Sequence, residues 1–303
     1  MAERFGMGWL RDWPDYRDLT SEYDRVPTRA SRLGQKESVK AMLTKVGVTE
    51  PARSLSPTSP ALKPWFSPIE DQGSLGSCTA NAGVGLVEYF ERRAFGRHID
   101  ASRLFLYKVT RNMLHWTGDT GAFLRTTMGG LVLFGVPPEE YWPYQISEYD
   151  KEPSSFCYAF AQAYQALTYY RLDPPQTPSD VLLNRLKLYL AAGLPSMFGF
   201  TVYSSISQAS STGKIPFPTP GEQIVGGHAI IAAGYDDNMK IKNSNDGGAE
   251  TTGAFLIRNS WGAGWGDGGY GWLPYEYVRR GLAVDWWSLL RNEWIDTGVF
   301  KLQ

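Results

Sequence analysis

Residues 72–81 read Gln72-Gly73-Ser74-Leu75-Gly76-Ser77-Cys78-Thr79-Ala80-Asn81. Two glycines and two serines make a flexible loop that runs directly into a segment of helical spacing, Ala80–Arg93, with Val84, Val87 and Phe90 on its apolar face. Cys78 therefore belongs at a helix N-terminus. Unpaired N–H groups and the positive end of the helix dipole favour an anion there, so the thiol pKa is expected to fall below its reference of about 8.5. A lowered pKa makes cysteine a competent nucleophile near neutral pH. Gln72 lies close enough in sequence to offer an amide donor beside the sulfur. Together with the Cys78 N–H it would stabilise the oxyanion of a tetrahedral intermediate.

A thiolate nucleophile needs a base, and the chain holds only three histidines: His98, His115 and His228. His228 stands out in Gly226-Gly227-His228-Ala229-Ile230-Ile231-Ala232-Ala233-Gly234-Tyr235, at the start of an apolar strand and behind two glycines that leave its ring accessible. A third segment, Ala254-Phe255-Leu256-Ile257-Arg258-Asn259-Ser260-Trp261-Gly262, is a strand ending in an amide with an indole two residues on. Asn259 is expected to accept from the imidazole and fix its tautomer, as the carboxylate does in serine triads. Trp261 would shield that bond from water and is also taken as a substrate-binding residue. The remaining cysteine, Cys157, reads as a packed small apolar residue, and His98 and His115 as surface or structural residues.

These three segments resemble those of the papain-like cysteine peptidases, in particular their bacterial branch. The order Gln72, Cys78, His228, Asn259 is similar to that family's oxyanion donor, nucleophile, base and orienting amide, and the 150 residues from Cys78 to His228 agree with its spacing. The resemblance runs from about Trp65 to the C-terminus and includes the glycine-rich run Trp261–Gly271. It implies a two-lobed α+β fold, with a helical lobe, an antiparallel β-barrel lobe and a cleft between them. It also implies that Gly121, in Asp119-Thr120-Gly121-Ala122-Phe123, hydrogen-bonds an extended substrate. The chain departs from secreted members at Leu75, where they carry a disulfide cysteine, and at Thr79, where they carry an aromatic residue. The gap from His228 to Asn259 is longer than usual. The excess is assigned to Asp236–Thr252, which has the composition of a surface hairpin tip and does not match an EF-hand loop.

The texture of the rest agrees. Arg103–His115, Phe123–Phe134 and Ser179–Ala192 are of helical length, whereas Met197–Tyr203, Gly227–Tyr235, Gly253–Arg258 and Tyr270–Leu273 are short, aromatic or β-branched and bounded by turn residues. Helices first and strands after predict an α+β protein. The loop Gln208–Gly226, with Pro216, Pro218 and Pro220, is placed at the border of the cleft. A Ser/Pro linker, Ser54–Pro60, separates an N-terminal arm from the body, giving an arm and linker over 1–60, a mainly helical lobe over 61–175 and a mainly β lobe over 176–303. Residues 1–65 carry net charge +3 and the remainder −4, so the two parts attract weakly. Val39, Met42, Leu43 and Val46 form one face of a short helix that must dock on something, most simply the body. By resemblance to family propeptides, the arm is expected to inhibit by crossing the cleft.

Composition narrows the partners. Of 303 residues, 30 are Lys or Arg and 31 Asp or Glu, a balance without the basic footprint of a nucleic-acid binder. Two cysteines and three histidines supply neither a disulfide scaffold nor a zinc cluster, so no metal and no cofactor is expected. No apolar run has the length of a membrane span, and charges interrupt the first twelve residues where a Sec signal would lie. The reading is a monomeric cysteine endopeptidase, cytoplasmic or exported by a non-classical route. It would act on peptide or protein substrates and be held as a zymogen by its own arm in cis. Two other readings use the same residues: an acyl transferase or peptide ligase, and an arm-occluded protein regulated by a small ligand.

Overall fold

The computed structural model describes residues 6–48, 55–60, 62–164 and 168–302; residues 1–5 of the N-terminus and Ser54 of the predicted linker lie outside them. Nine helices are described: α1 Thr28–Arg32, α2 Val39–Lys45, α3 Cys78–Phe95, α4 Arg103–Met113, α5 Leu124–Leu133, α6 Ser155–Ala161, α7 Ser179–Ala191, α8 Tyr275–Arg279 and α9 Asn292–Ile295. Six strands join them: β1 Thr168–Arg171, β2 Ser196–Tyr203, β3 Ile224–Lys242, β4 Glu250–Arg258, β5 Tyr270–Pro274 and β6 Ala283–Leu290. The helices predicted in the body and the four predicted strands are all present. The strands form one antiparallel sheet in the order β1-β6-β2-β3-β4-β5. The sheet stays open between β1 and β5 instead of closing into the barrel the resemblance implied.

Helix α3 is buried from Cys78 to Glu91, as a helix at the centre of a core must be. Its small residues let β3 and β4 come close. A Cβ at Gly85 would stand 2.7 Å from the Arg258 guanidinium and 3.0 Å from Ile231. Arg258 donates to the carbonyl and hydroxyl of Ser67 and to the Pro68 carbonyl, tying the sheet to the segment that leads to Cys78. The sheet's other face is packed by aromatic residues, with Phe198 of β2 stacked on Trp286 of β6 at 3.8 Å.

The arm helix docks as its apolar face requires. Val39, Met42, Leu43 and Val46 are buried, and full burial of such side chains is worth about 1.5–3 kcal/mol each. The partner is the C-terminal end of the body: Lys36 N–H donates to Asn292 Oδ1, Leu302 N–H to the Val46 carbonyl, and Lys45 pairs with Asp296. The linker is docked as well. Ser59 and Pro57 exchange backbone hydrogen bonds with Tyr235 and Asp237 of β3. The predicted hairpin tip is present, because β3 continues to Lys242, turns through 243–249 and returns as β4. The loop 208–226 packs mainly on β5 and this hairpin, through Ile215 N–H to the Trp272 carbonyl and Gln208 to Asn243. Its last residue, Gly226, meets the arm at Met7.

Candidate active site

Ser77 caps α3 and Cys78 is its first residue. The loop before it is fixed from several sides. Gln72 N–H donates to the Ser260 carbonyl at 2.9 Å, the Tyr144 hydroxyl donates to the Gln72 carbonyl at 3.0 Å, and Tyr144 and Ser77 hydroxyls share a bond of 2.6 Å. The Gln72 side chain is fully buried, with Oε1 accepting from Ser260 Oγ at 2.6 Å, so Nε2 is turned toward the cleft. It donates there to the Leu75 carbonyl at 2.8 Å and to the Gly6 carbonyl of the arm at 3.0 Å. Ser260, in the sequence no more than the neighbour of Asn259, thus fixes the orientation of the Gln72 amide. Ser260→Ala should free the amide to rotate, lowering kcat about tenfold with KM little changed. Steady-state kinetics on the arm-released chain measure this.

His228 lies in β3 opposite Phe200 of β2 and is completely buried. Its Nε2 is 2.8 Å from Asn259 Oδ1, at the end of β4, and its ring stacks on Trp261 at 4.4 Å and 22°. Asn259 Oδ1 also accepts from Ser260 N–H, which fixes the amide's orientation. With Nε2 committed to Asn259, Nδ1 is the ring nitrogen left over, and it has no hydrogen-bond partner among the described residues. The backbone N–H groups of Ala229, next to His228, and of Gly8 of the arm pull the Cys78 thiol pKa down. The histidine, amide, indole, glutamine and cysteine singled out in the sequence thus converge on one place.

The arm lies directly across it. Trp9 N–H donates to the Gly227 carbonyl, Ala122 N–H to the Gly8 carbonyl at 2.7 Å and Leu10 N–H to the Ala122 carbonyl, so arm and Ala122 pair in parallel. Ala122, not Gly121, makes these backbone bonds. Gly121 donates its N–H to the Tyr107 hydroxyl, and at φ +71° it keeps clear of the arm, since a Cβ there would stand 2.2 Å from the Gly8 carbonyl oxygen. Gly6 and Gly8 are needed for the same reason. A Cβ at Gly8 would stand 1.8 Å from the Gly76 carbonyl oxygen, and one at Gly6 2.1 Å from that of Leu75. Further along, Arg125 holds the arm through Asp12, Asp18 and the Trp13 carbonyl.

This cover reverses one expectation. Burial pushes the Cys78 thiol up to about 11, outweighing the N–H groups of Ala229, Gly8, Thr79 and Cys78 itself, and it pushes His228 down to about 4 against the pull of Asn259. The helix N-terminus acts in the predicted direction, but removal of water is the larger effect. In this state thiol and imidazole are both neutral at pH 7. Cys157 is buried with its sulfur 3.6 Å from the Tyr141 carbonyl oxygen, and His115 is exposed. Among the described residues no group of His, Cys, Asp and Glu is arranged to hold a metal, and no helix is long and apolar enough to cross a membrane.

Comparison with known proteins gives one answer at three levels. The model of the papain family cysteine proteases matches residues 60–281. An uncharacterised peptidase C1-like protein of Acanthamoeba polyphaga mimivirus is 31% identical over 288 residues, covering 93% of this chain and 86% of that protein. The crystal structure of xylellain, a cysteine protease from Xylella fastidiosa, superposes with a TM-score of 0.72 at 32% identity, over 95% of this chain and 98% of that one. Digestive procathepsin L 3 of Tenebrio molitor shares the fold at 18% identity, with a TM-score of 0.58 over 83% of this chain and 78% of its own. The chain belongs to the papain family of cysteine proteases and is a hydrolase of peptide bonds.

Proposed function

We propose that the chain is the latent form of an endopeptidase whose catalytic groups are Cys78, His228, Asn259 and Gln72, with the arm segment 6–12 as its inhibitor in cis. The observation that carries this reading is the path of the arm: the Gly6 carbonyl accepts from Gln72 Nε2, and Gly8, whose carbonyl accepts from Ala122 N–H, packs on the Gly76 backbone two residues before Cys78. A substrate's scissile carbonyl would have to be held by that same donor, and here a carbonyl of the chain's own N-terminal segment occupies it.

Once the arm leaves, water returns to the cleft and the two burial penalties relax in opposite directions. The thiol falls, the imidazole rises, and proton transfer from Cys78 to His228 becomes favourable. Cys78 attacks the scissile carbonyl as a thiolate, and Gln72 Nε2 and the Cys78 N–H stabilise the oxyanion. His228 protonates the leaving amine and then activates the water that hydrolyses the thioester. Asn259 holds the ring so that one nitrogen stays free for this traffic, and Trp261 covers the bond between them.

The arm is best opened after folding, because α2 and the linker also pack on the body. A protease site placed between the exposed Trp13 and Tyr16 would release the cleft segment alone. On cutting, peptide hydrolysis should appear together with a single epoxide-inhibitor adduct on Cys78. Hydrolysis that is equal before and after cutting would remove the inhibitory role of the arm. An adduct on another residue, or no hydrolysis at all, would remove the catalytic assignment. An added amine that diverts most of the product to aminolysis would favour the transferase reading.

A further inference from the structure

One carboxylate joins the loop that carries Gln72 and Cys78 to the edge on which the arm pairs. Both cysteines are free, so no covalent tie crosses between the two. Instead, Gly76 N–H donates to both oxygens of Asp119, at 3.0 and 3.1 Å. A Cβ at Gly76 would stand 2.9 Å from Asp119 Oδ1, so an approach this close needs glycine. Oδ1 also accepts from the Tyr107 hydroxyl at 2.6 Å, and that hydroxyl oxygen in turn accepts from Gly121 N–H at 3.0 Å. Tyr107 is completely buried in α4, and burial first, with the Asp119 bond second, keeps its hydroxyl protonated well above the usual phenol range. The segment that bears Asp119 is pinned from behind. Arg111 donates to the Gly118 carbonyl and to Asp150, and Asp150 accepts from Gly118 N–H.

What this carboxylate holds is the Leu75–Gly76 peptide unit, and Gln72 holds the other end of the same unit. The Leu75 carbonyl accepts from Gln72 Nε2 at 2.8 Å, alongside Ser77 N–H at 2.8 Å. Nε2 carries two hydrogens. With one committed to Leu75, the other is left for the cleft, where the Gly6 carbonyl takes it. A peptide unit held at both its N–H and its C=O has no freedom to rotate, and hydrogen bonds in series strengthen one another, so the carboxylate improves the acceptor that aims the amide. We propose that Asp119 is a positioning residue of this peptidase: through the Leu75–Gly76 peptide it aims the Gln72 donor, and through Tyr107 it sets Gly121 and the Ala122 edge against that donor. This rests on the peptidase reading above. Asp119 is itself exposed, so water can take its place at Gly76 N–H and the fold survives its removal. What is lost is the aim of the donor.

The test uses the folded chain with its arm cut and one fluorogenic peptide, with kcat and KM read separately. Asp119→Ala should lower kcat about tenfold with KM little changed, and Asp119→Asn, which keeps an acceptor for Gly76 N–H, should bring kcat back to within about threefold of the parent. Gln72→Ala by itself should cost about a hundredfold in kcat. Adding Asp119→Ala to it should cost nothing further, because a residue that acts through Gln72 then has nothing to act on. Tyr107→Phe leaves the Gly76 bond in place and deprives Gly121 N–H of its acceptor, so it should raise KM about threefold and leave kcat within about twofold of the parent. Losses that multiply in the double variant, an unchanged kcat in Asp119→Ala or an unchanged KM in Tyr107→Phe would overturn the assignment. If the parent chain cleaves nothing, the peptidase reading fails first, and the coupling is then read by NMR in the uncut chain. The Gln72 Nε2 protons, which Asp119 does not touch, should exchange with solvent about tenfold faster in Asp119→Ala, and an equal rate would dismiss the coupling by itself.

Discussion

Gly8→Ala in the full chain is expected to raise the rate of iodoacetamide alkylation of Cys78 at pH 7 by at least about a hundredfold, because only the thiolate reacts. With the arm docked the thiol stands at about 11, so about one molecule in ten thousand is ionised at pH 7. An uncovered thiol at the reference value of about 8.5 is ionised to about three parts in a hundred. The alanine methyl would lie 1.8 Å from the Gly76 carbonyl oxygen and 2.7 Å from the Gly76 Cα, and backbone so close to the head of α3 has nowhere to move. Expelling this one residue breaks the Gly8 carbonyl's bond to Ala122 and uncovers the thiol. The pH profile carries the sign. A thiol raised by burial ionises only as pH climbs through its raised value, so the docked chain's rate should keep rising tenfold per unit toward pH 11. The variant's rate should level off near or below pH 8.5. Intact-mass labelling from pH 6 to 11 reads both. Gly264→Ala, where an added Cβ meets nothing within 4 Å, is the control. A variant with the parent's rate and profile would show that the cover is not what silences the thiol.

The sequence made the helix, the strands bearing His228 and Asn259, and the four polar groups legible because each has a local signature. A Gly/Ser loop opening a helix, a Gly-Gly-His strand start and an Asn-Ser-Trp strand end can be read without knowing what they touch. Strands β1 and β6 were missed for the opposite reason. Thr168–Arg171 is too short to show a period, and Ala283–Leu290 is buried on both faces, polar Asp285 and Ser288 included, because it lies inside the sheet between β1 and β2. The direction of the Cys78 shift was also beyond local reading. Helix position is written in the neighbours of Cys78, but its burial is imposed by Gly6 and Gly8, about seventy residues earlier. One signal was available: Gly6-Met7-Gly8-Trp9 places two glycines around an arm otherwise rich in bulky residues, as a segment must when it lies flat against backbone. Asp285 of β6, completely buried between Trp9 Nε1, Trp287 Nε1 and Arg171, gave no such signal, since an acidic residue in an aromatic run announces neither its burial nor its partners.

In the arm-released enzyme, Cys78→Ala and His228→Ala should each lower kcat on the order of 10⁴-fold or more, and the double variant should lose hardly more than either alone. Independent contributions would multiply; in the proposed mechanism these two are halves of one device. Without the imidazole the thiol stays protonated near pH 7 and the leaving amine has no proton donor, so an intact Cys78 gains little from Gln72. Without the thiol, His228 has nothing to deprotonate. The residual rate common to all three variants measures what binding and the Gln72 donor supply by themselves. Asn259→Ala should fall well short of this, by about a hundredfold, because burial and the Trp261 stack at 4.4 Å still hold the ring when the 2.8 Å bond is gone. Its activity should vary with pH over a shifted range, since the amide is the only polar contact supporting the protonated ring among the described residues. Removing it lowers the imidazole further and narrows the window in which thiolate and imidazolium coexist. Kinetics with one fluorogenic peptide across pH 5–9 decide the matter. Losses that multiply in the double variant, or an Asn259→Ala loss equal to that of His228→Ala, would separate cysteine and histidine into unlinked roles and overturn the mechanism.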